Sequence, residues 1–172
     1  VCPDVVGRGR SAWLPVKDDY QIPTYVADMV TLIARLDVDS VHWVGTSMGG
    51  LIGMLLASLP DTPIRRLVLN DVGPLVTLSS IQRIGQYVGQ APVFPSREAA
   101  EAYIREVSVP FGRLSDAQWR HLTEFSIREA EGGWVMRYDP GIAEPFRKSP
   151  LVADVDLWSV YDAIVCPTLV VR

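Results

Sequence analysis

A serine between two glycines separates two apolar segments of this chain. The run Val41–Val44 has the β-branched and aromatic composition of a buried strand, and residues 51–59 are typical of an apolar helix. Between them, residues 45–49 read Gly-Thr-Ser-Met-Gly. A G-x-S-x-G sequence between a strand and a helix is the pattern of a nucleophile elbow, a tight turn whose strained backbone exposes the serine hydroxyl. The pattern predicts that Ser47 is a nucleophile, and an ordinary glycine-rich turn is the alternative.

The glycines around the serine lead to a further prediction about how tightly the turn is packed. Gly45 and Gly49 flank Ser47, and we expect that a Cβ at either position would collide across the turn. Gly50 and Gly53 follow on the predicted helix. Without side chains there, the helix can lie close to the sheet.

A serine nucleophile needs a histidine base, and the chain has only His42 and His121. His42 lies in the predicted strand five residues before Ser47, so we expect a core histidine. His121 lies in a predicted amphipathic helix whose start, Ser115 and Gln118, resembles a capping box. We expect it on the helix surface. Neither histidine is predicted to be the base.

Residues 7–12 read Gly-Arg-Gly-Arg-Ser-Ala and formally match the dinucleotide-binding pattern G-x-G-x-x-A. That pattern requires a helix to begin at the glycines. The following Trp13-Leu14-Pro15 is typical of a loop instead, so we reject this interpretation.

The order of predicted elements indicates a parallel sheet. A short strand at Val1–Asp4 is followed by a loop and by a helix with Thr24 as its N-cap. After the elbow come a strand at Arg66–Asn70, a final helix near residues 156–164 and a last strand at Thr168–Val171. Strand, helix and strand in this order favour right-handed parallel crossovers.

Residues 75–150 interrupt this alternation with helical segments at residues 81–89, 96–107 and 115–128 and no strong strand. A turn at Gly132-Gly133 and a short aromatic segment follow. We predict an α/β protein with a core of residues 1–74 and 151–172 and a helical cap of residues 75–150. Because the chain has no initiating Met and both ends lie in predicted strands, we expect an internal fragment of a longer protein.

Composition narrows the class of function. The chain is 48% apolar and 21% charged, which is typical of a globular domain with a core, and its net charge of -4 argues against a nucleic-acid binder. No apolar run approaches the roughly 20 residues that span a bilayer. Cys2 and Cys166 form no metal-binding cluster, and we expect small core residues in a reducing, cytoplasmic compartment. We expect no cofactor, no metal and no membrane partner.

Taken together, these residues resemble the α/β-hydrolase family with a helical cap. The resemblance covers essentially the whole chain: residues 4–11, the elbow, the strand at residues 67–71 and residues 166–171. It implies a partial fold that runs from strand four to strand seven. It also implies that strand three, which lies between strands four and five, is upstream of Val1, so that Val41–Val44 becomes an unpaired edge and an aggregation hazard.

The resemblance also implies a mechanism. Ser47 would form an acyl-enzyme on a small carbonyl substrate, and the Met48 backbone N–H would stabilise the oxyanion. The second oxyanion donor would lie before Val1, and the usual acid and histidine beyond Arg172. Some relatives carry the acid after the strand that Asp71 follows, although a loop-capping role for Asp71 is favoured.

Aromatic residues of the predicted cap are candidates for the substrate pocket. Trp134, Tyr138 and Phe146 could shape a small apolar pocket, and packing within the cap explains them equally well. The function predicted is an esterase, lactonase or C–C hydrolase acting on a small molecule, in the intact protein; the fragment alone is expected to be inactive. The alternatives are a non-catalytic ligand-binding member of the same fold and a cofactor-free perhydrolase or lyase. The oligomeric state stays open.

Overall fold

The computed structural model describes residues 1–171. Its strands are β1 (Val41–Thr46), β2 (Ile64–Asn70), β3 (Leu75–Val76), β4 (Val93–Phe94), β5 (Ile127–Ala130), β6 (Gly133–Met136), β7 (Val155–Asp156) and β8 (Thr168–Val171). Its helices are α1 (Ile22–Arg35), α2 (Met48–Ala57), α3 (Leu78–Gly85), α4 (Arg97–Val107), α5 (Asp116–Ser126), α6 (Glu144–Lys148) and α7 (Trp158–Asp162). Short 3-10 turns lie at Lys17–Asp19, Val109–Phe111 and Pro140–Ala143.

Contacts divide the chain into two compact units. The first unit contains residues 1–17 and 85–144, and the second contains residues 18–84 and those from 145 onward. The segment before residue 18 therefore groups with residues 85–144. The predicted core and cap, divided at residues 75 and 150, stay a prediction.

The second unit is built on a parallel sheet. Its strand order is β1-β2-β8, and both pairings are parallel, as the alternation of elements predicted. Helix α2 packs on β1 and β2, and α1 packs on α2. The carboxyl ends of β1 and β2 lie side by side, because Thr46 is paired with Asn70.

Helix α2 supplies the centre of this unit's core. All ten of its residues are apolar or glycine, so it has no polar face to turn toward water. The largest fully buried side chains of the chain come from α2 and from β2: Ile52, Met54, Ile64, Leu67 and Leu69. Each such side chain contributes about 1.5–3 kcal/mol on burial, so packing and not intrinsic propensity holds this helix.

Strand β1 is an edge strand among the described residues, since it pairs with β2 alone. The unpaired edge expected at Val41–Val44 is confirmed. The side chains of β1 alternate between the two faces of the sheet: Gly45 is buried, whereas Val44 is 74% exposed.

Two predictions near the start of the chain were wrong. Residues 1–4 are not a strand, because no described strand offers them a hydrogen-bonding neighbour. Helix α1 begins at Ile22 with Gln21 as its N-cap, and Thr24 lies inside the helix. Pro23 explains the earlier start, since proline lacks the N–H that the first turn leaves unsatisfied.

The first unit contains an antiparallel sheet that the sequence did not predict. Its order is β4-β6-β5, and the predicted turn at Gly132-Gly133 joins the last two strands. Both glycines have positive φ, 85° and 142°. Helices α4 and α5 flank a core cluster of the same unit, and its buried members are Phe94, Ala100, Ile104, Trp119 and Ile127. The expectation of a mostly helical segment with no strong strand missed this sheet because its strands are only two to four residues long.

Several local predictions in this unit are confirmed. Helix α5 begins with a complete capping box, in which the Ser115 side chain accepts from Gln118 N–H and the Gln118 side chain accepts from Ser115 N–H. Residues 7–12 form turns and no helix, which confirms that the dinucleotide pattern is accidental. Gly9 adopts φ 58° beside the Asp4 carboxylate, where a Cβ would approach closer than 3.0 Å.

A partly buried ion pair ties the start of the chain to residues 137–141. Asp139 is 2% exposed and accepts a hydrogen bond from Lys17 Nζ at 2.5 Å and one from Gly141 N–H at 2.9 Å. Asp139 N–H donates to the Gly7 carbonyl, and Gly9 N–H donates to the Arg137 carbonyl. These bonds explain why the segment before residue 18 belongs to the first unit.

The cysteines are not core residues, contrary to the expectation. Cys2 is exposed and Cys166 is half-buried, and both are free thiols. Each lies next to a proline in irregular backbone, outside the strands and helices that form the cores. Among residues 1–171, no helix is long and apolar enough to cross a bilayer.

The Lys17–Asp139 pair gives a prediction about stability. We expect Asp139→Asn to lower the free energy of unfolding by about 2–3 kcal/mol, because it leaves the Lys17 ammonium without its buried counter-charge. The matched control is Asp18→Asn, which breaks an exposed pair with Lys148 and is expected to cost less than about 1 kcal/mol. Urea unfolding of both variants checks this, and equal losses would contradict it.

Candidate functional site

Ser47 lies in a strained turn between β1 and α2. Its backbone angles are φ 49° and ψ -117°, which a residue with a Cβ rarely adopts. Such a conformation costs on the order of 1–3 kcal/mol and persists only where the surroundings impose it. The residue is exposed. This geometry agrees with the strained strand-to-helix turn that the sequence pattern predicts.

Backbone and side-chain hydrogen bonds fix the turn to β2. Ser47 N–H donates to the Asn70 carbonyl at 3.0 Å, and the Asn70 side-chain amide donates to Thr46 Oγ1 at 3.1 Å. The Ser47 carbonyl accepts from the N–H groups of Gly50 and Leu51. Ser47 is therefore held on both sides, by the end of a neighbouring strand and by the first turn of α2.

The reasons for the glycines differ from those expected. A Cβ on Gly45 would come closer than 3.0 Å to the Gly49 backbone, so this position requires glycine as predicted. A Cβ on Gly49 would meet nothing within 4 Å, and the predicted collision there was wrong because its Cβ direction points into open space. The second crowded position is Gly50, whose Cβ would strike Val72.

Met48 is the first residue of α2, so its N–H is among the groups that a helix leaves without an internal partner. The helix dipole adds partial positive charge at the same end. A carbonyl oxygen that gains negative charge beside Ser47 could accept a hydrogen bond from this N–H. The Met48 side chain is half-buried.

Sequence reasoning missed Trp43. Its indole Nε1 donates to the Gly49 carbonyl at 2.9 Å, which links β1 to the first turn of α2. The sequence shows both partners of this contact region, a tryptophan four residues before the serine and the helical glycine Gly53. It does not show that they lie against each other, because that depends on how the helix lies over the strand.

His42 does not supply a base to Ser47. His42 is exposed, and the expectation of a core histidine was wrong: it alternates with Trp43 and Gly45 and so lies on the face of β1 opposite α2. It also precedes Ser47 by five residues along an extended strand, a separation of about 16 Å. His121 lies exposed on α5 in the other unit, as predicted, and its ring stacks on Phe125 at 4.8 Å.

Asp71 directly follows β2. It is exposed, has φ 53°, and its N–H donates to the Val171 carbonyl at 2.8 Å. Asn70, whose carbonyl accepts from Ser47 N–H, is its chain neighbour. The backbone of Asp71 thus helps to join β2 and β8, and its carboxylate is accessible at the same end of the sheet as the serine.

The three aromatic candidates fall in different units. Trp134 packs against the core cluster of the first unit, with the Arg97 guanidinium 4.3 Å from its ring centre. Tyr138, also in the first unit, donates to the Gln90 carbonyl at 2.9 Å, and burial raises the pKa of its phenol. Phe146 lies on α6 and is 44% exposed.

Trp134 also lines a shallow pocket of about 280 Å³ within the first unit. Its other lining residues are Arg97, Glu124, Ile127, Arg128, Glu129 and Arg137. The pocket has charged walls and one indole. It therefore differs from the small apolar pocket that the sequence led us to expect around the three aromatic residues.

Comparison with known proteins identifies relatives along the whole chain. The family model described as alpha/beta hydrolase fold matches residues 1–139. A 3-hydroxybutyrate-oligomer hydrolase from Cupriavidus necator is 50% identical over 180 residues, which cover 100% of this chain and 61% of that protein. The crystal structure of an alpha/beta hydrolase from Novosphingobium aromaticivorans is 35% identical with a TM-score of 0.87, covering 99% of this chain and 61% of that one. An esterase from Mycobacterium tuberculosis is 26% identical with a TM-score of 0.66, covering 98% and 54%. The chain thus spans less than two thirds of each relative.

The crowding around the turn predicts opposite effects for its two flanking glycines. We expect Gly45→Ala to lower the free energy of unfolding by about 2–3 kcal/mol, because the new methyl group overlaps the Gly49 backbone. Gly49→Ala is the matched control; it should be neutral or stabilising by up to about 1 kcal/mol, since alanine favours the helix. Denaturant unfolding measures both, and a larger loss for Gly49→Ala would contradict the prediction.

Proposed function

The chain belongs to the α/β-hydrolase family, and from that premise we propose that the full-length protein is a serine hydrolase that cleaves an ester through Ser47. The Ser47 hydroxyl attacks the carbonyl carbon, its proton passes to a base, and the alcohol leaves with a proton. Water then attacks the acyl-enzyme and releases the acid. Hydrolases among the relatives support this class of reaction.

The observation that carries the proposal is the backbone of Ser47. A positive φ at an exposed serine, imposed from both sides by hydrogen bonds, is what a nucleophile elbow requires. A glycine-rich connection without catalytic use would have no reason to keep a non-glycine residue in a conformation that costs on the order of 1–3 kcal/mol. The strain supports the catalytic role over the non-catalytic, ligand-binding alternative.

Met48 is the proposed oxyanion donor. Its backbone N–H begins α2 next to Ser47, where charge develops on the carbonyl oxygen in the transition state. The second donor is proposed to lie before Val1. Because only the main chain of Met48 acts, its side chain is free to contact the acyl group.

The proton of Ser47 needs a base, and we propose that this base is neither His42 nor His121. We place the histidine, and the acid that orients it, beyond Arg172. Asp71 is the alternative acid, because it follows β2 and its side chain is exposed. The 3-hydroxybutyrate-oligomer hydrolase supports the first placement, because this chain covers only 61% of that protein.

The proposed substrate is a short oligoester of a hydroxy acid. The support is the 50% identity, over the whole of this chain, with a hydrolase named for 3-hydroxybutyrate oligomers. Such a substrate presents repeated ester carbonyls on a small apolar backbone. We propose that residues 75–150 form a cap and that Trp134, Tyr138 and Phe146 contact the substrate. The protein is proposed to act in the cytoplasm without a cofactor.

Replacement of the serine tests the nucleophile. We expect Ser47→Ala to lower kcat on a 3-hydroxybutyrate dimer and on p-nitrophenyl acetate by at least about 10³-fold in the full-length protein, because no other hydroxyl replaces it. Ser58→Ala, at the C-cap of α2, is the matched control and should leave turnover within about 2-fold, because Ser58 lies at the end of the helix remote from Ser47. Wild-type turnover in Ser47→Ala would disprove the nucleophile assignment.

A second prediction concerns the 172 residues alone. We expect them to react with a fluorophosphonate probe at least about 10³-fold more slowly than the full-length protein, because an unassisted serine hydroxyl is a weak nucleophile. The probe labels the nucleophilic serine irrespective of the substrate, and Ser47→Ala gives the background. Labelling of the 172 residues at the rate of the full-length protein would show that a base is present within them.

A further inference from the structure

Trp43 connects the strand before the elbow with the helix after it. The indole Nε1 donates to the Gly49 carbonyl at 2.9 Å. Trp43 precedes Ser47 by four residues and Gly49 follows it by two, so this one hydrogen bond closes a ring of seven residues around the serine. The side chain is half-buried between β1 and α2.

A second glycine of the helix makes this contact possible. A Cβ on Gly53 would come closer than 3.0 Å to both Cδ1 and Nε1 of Trp43. In an α-helix, Gly53 N–H also donates to the Gly49 carbonyl, so that oxygen accepts one bond from the helix and one from the indole. The absence of a side chain at Gly53 lets the ring lie across the first turn of α2.

We propose that Trp43 is a positioning residue, which fixes the first turn of α2 so that the Met48 N–H points at the developing oxyanion. The inference rests on the proposed function of Ser47 and Met48. Met48 and Gly49 lie in the same first turn of α2, so a movement of that turn as a whole would change the direction of the Met48 N–H. The first turn of a helix is where hydrogen bonding within the helix is incomplete.

The other bonds at the elbow do not hold this turn in the same way. The bond from Ser47 N–H to Asn70 fixes the serine itself to β2. The packing of Gly50 on Val72 fixes the distance from α2 to the chain after β2. The Trp43 bond is made by a side chain of β1, so it restrains the turn from β1, whereas the other two contacts restrain it from β2 and the residues after β2.

The expected signature is a loss in kcat without a change in KM. A substrate carbonyl carries little charge in the ground state, whereas the oxyanion of the transition state depends on the direction of its donors. Loss of the indole N–H releases one hydrogen bond, typically worth a factor of about 3–10 in rate if expressed fully in the transition state.

Trp43→Phe in the full-length protein tests the inference, because it removes the N–H and keeps an aromatic ring. We expect kcat on a 3-hydroxybutyrate dimer to fall by about 3–10-fold with KM unchanged, and the inhibition constant of a trifluoromethyl ketone to rise by the same factor. Trp158→Phe is the matched control: it removes an exposed indole of the same unit and should change neither constant. A merely structural role would not couple kcat to the affinity for a tetrahedral analogue.

A near-isosteric replacement guards against poor folding of Trp43→Phe. β-(3-Benzothienyl)alanine at position 43 keeps the shape of the indole and lacks only the N–H, so it should reproduce the loss in kcat. If either folded variant keeps the kcat of the Trp158→Phe control while Ser47→Ala is inactive, the positioning role is wrong and the proposed nucleophile stands. Wild-type turnover in Ser47→Ala overturns the proposed function itself, and the role of Trp43 with it.

Discussion

The positive φ of Ser47 is the constraint around which the second unit is arranged. Left alone, the residue would relax to a commoner conformation, because the observed one costs on the order of 1–3 kcal/mol. Three neighbours prevent this. The Asn70 carbonyl accepts a hydrogen bond from Ser47 N–H, and N–H groups in the first turn of α2 donate to the Ser47 carbonyl. Gly45, which has no side chain, lets the helix start directly over the strand. Both backbone groups of Ser47 are thus engaged, and its side chain stays exposed.

The same constraint explains the composition of α2. Gly49, Gly50 and Gly53 each weaken an isolated helix by about 1 kcal/mol relative to alanine. Two of them stand where a Cβ would strike Val72 or Trp43, so they bring the helix to its required distance from its neighbours. Burial of Ile52, Met54 and Leu56, at about 1.5–3 kcal/mol each, outweighs the weak propensity. The helix has a weak intrinsic propensity to form in isolation, and its packing in the protein holds the turn at Ser47 in place.

The predictable parts of this fold are those encoded by local signals. The elbow, the strand before it, the capping box at Ser115 and the strand at residues 168–171 follow from turn chemistry, composition and periodicity over ten residues or fewer. The sheet β4-β6-β5 could not be predicted, because two to four residues give too few alternations to distinguish a strand from a loop. The Lys17–Asp139 pair joins residues 122 positions apart, and nothing local marks either partner.

The errors at the candidate site share one cause. His42 was expected in the core because its strand is apolar, and a Cβ on Gly49 was expected to collide because the motif places it in a turn. Both inferences concern the direction in which a side chain points. The sequence determines the spacing of residues along an element, but it does not show which face a neighbouring element covers. Gly45 and Gly49 are equivalent in the motif, yet only Gly45 faces backbone.

The class of reaction and the choice of substrate depend on different parts of this protein. The turn at Ser47 is made of backbone groups, glycines and one indole, none of which distinguishes one acyl group from another; the chemistry proposed for it is attack on a carbonyl and stabilisation of an oxyanion. Discrimination between substrates needs side chains that contact the acyl and alcohol groups, such as those proposed at Trp134 and Tyr138. Relatives at 26% and 35% identity preserve the fold, and with it the means to build an elbow. The proposed substrate rests on the higher identity of 50%, averaged over the whole chain, because that alignment includes residues 75–150.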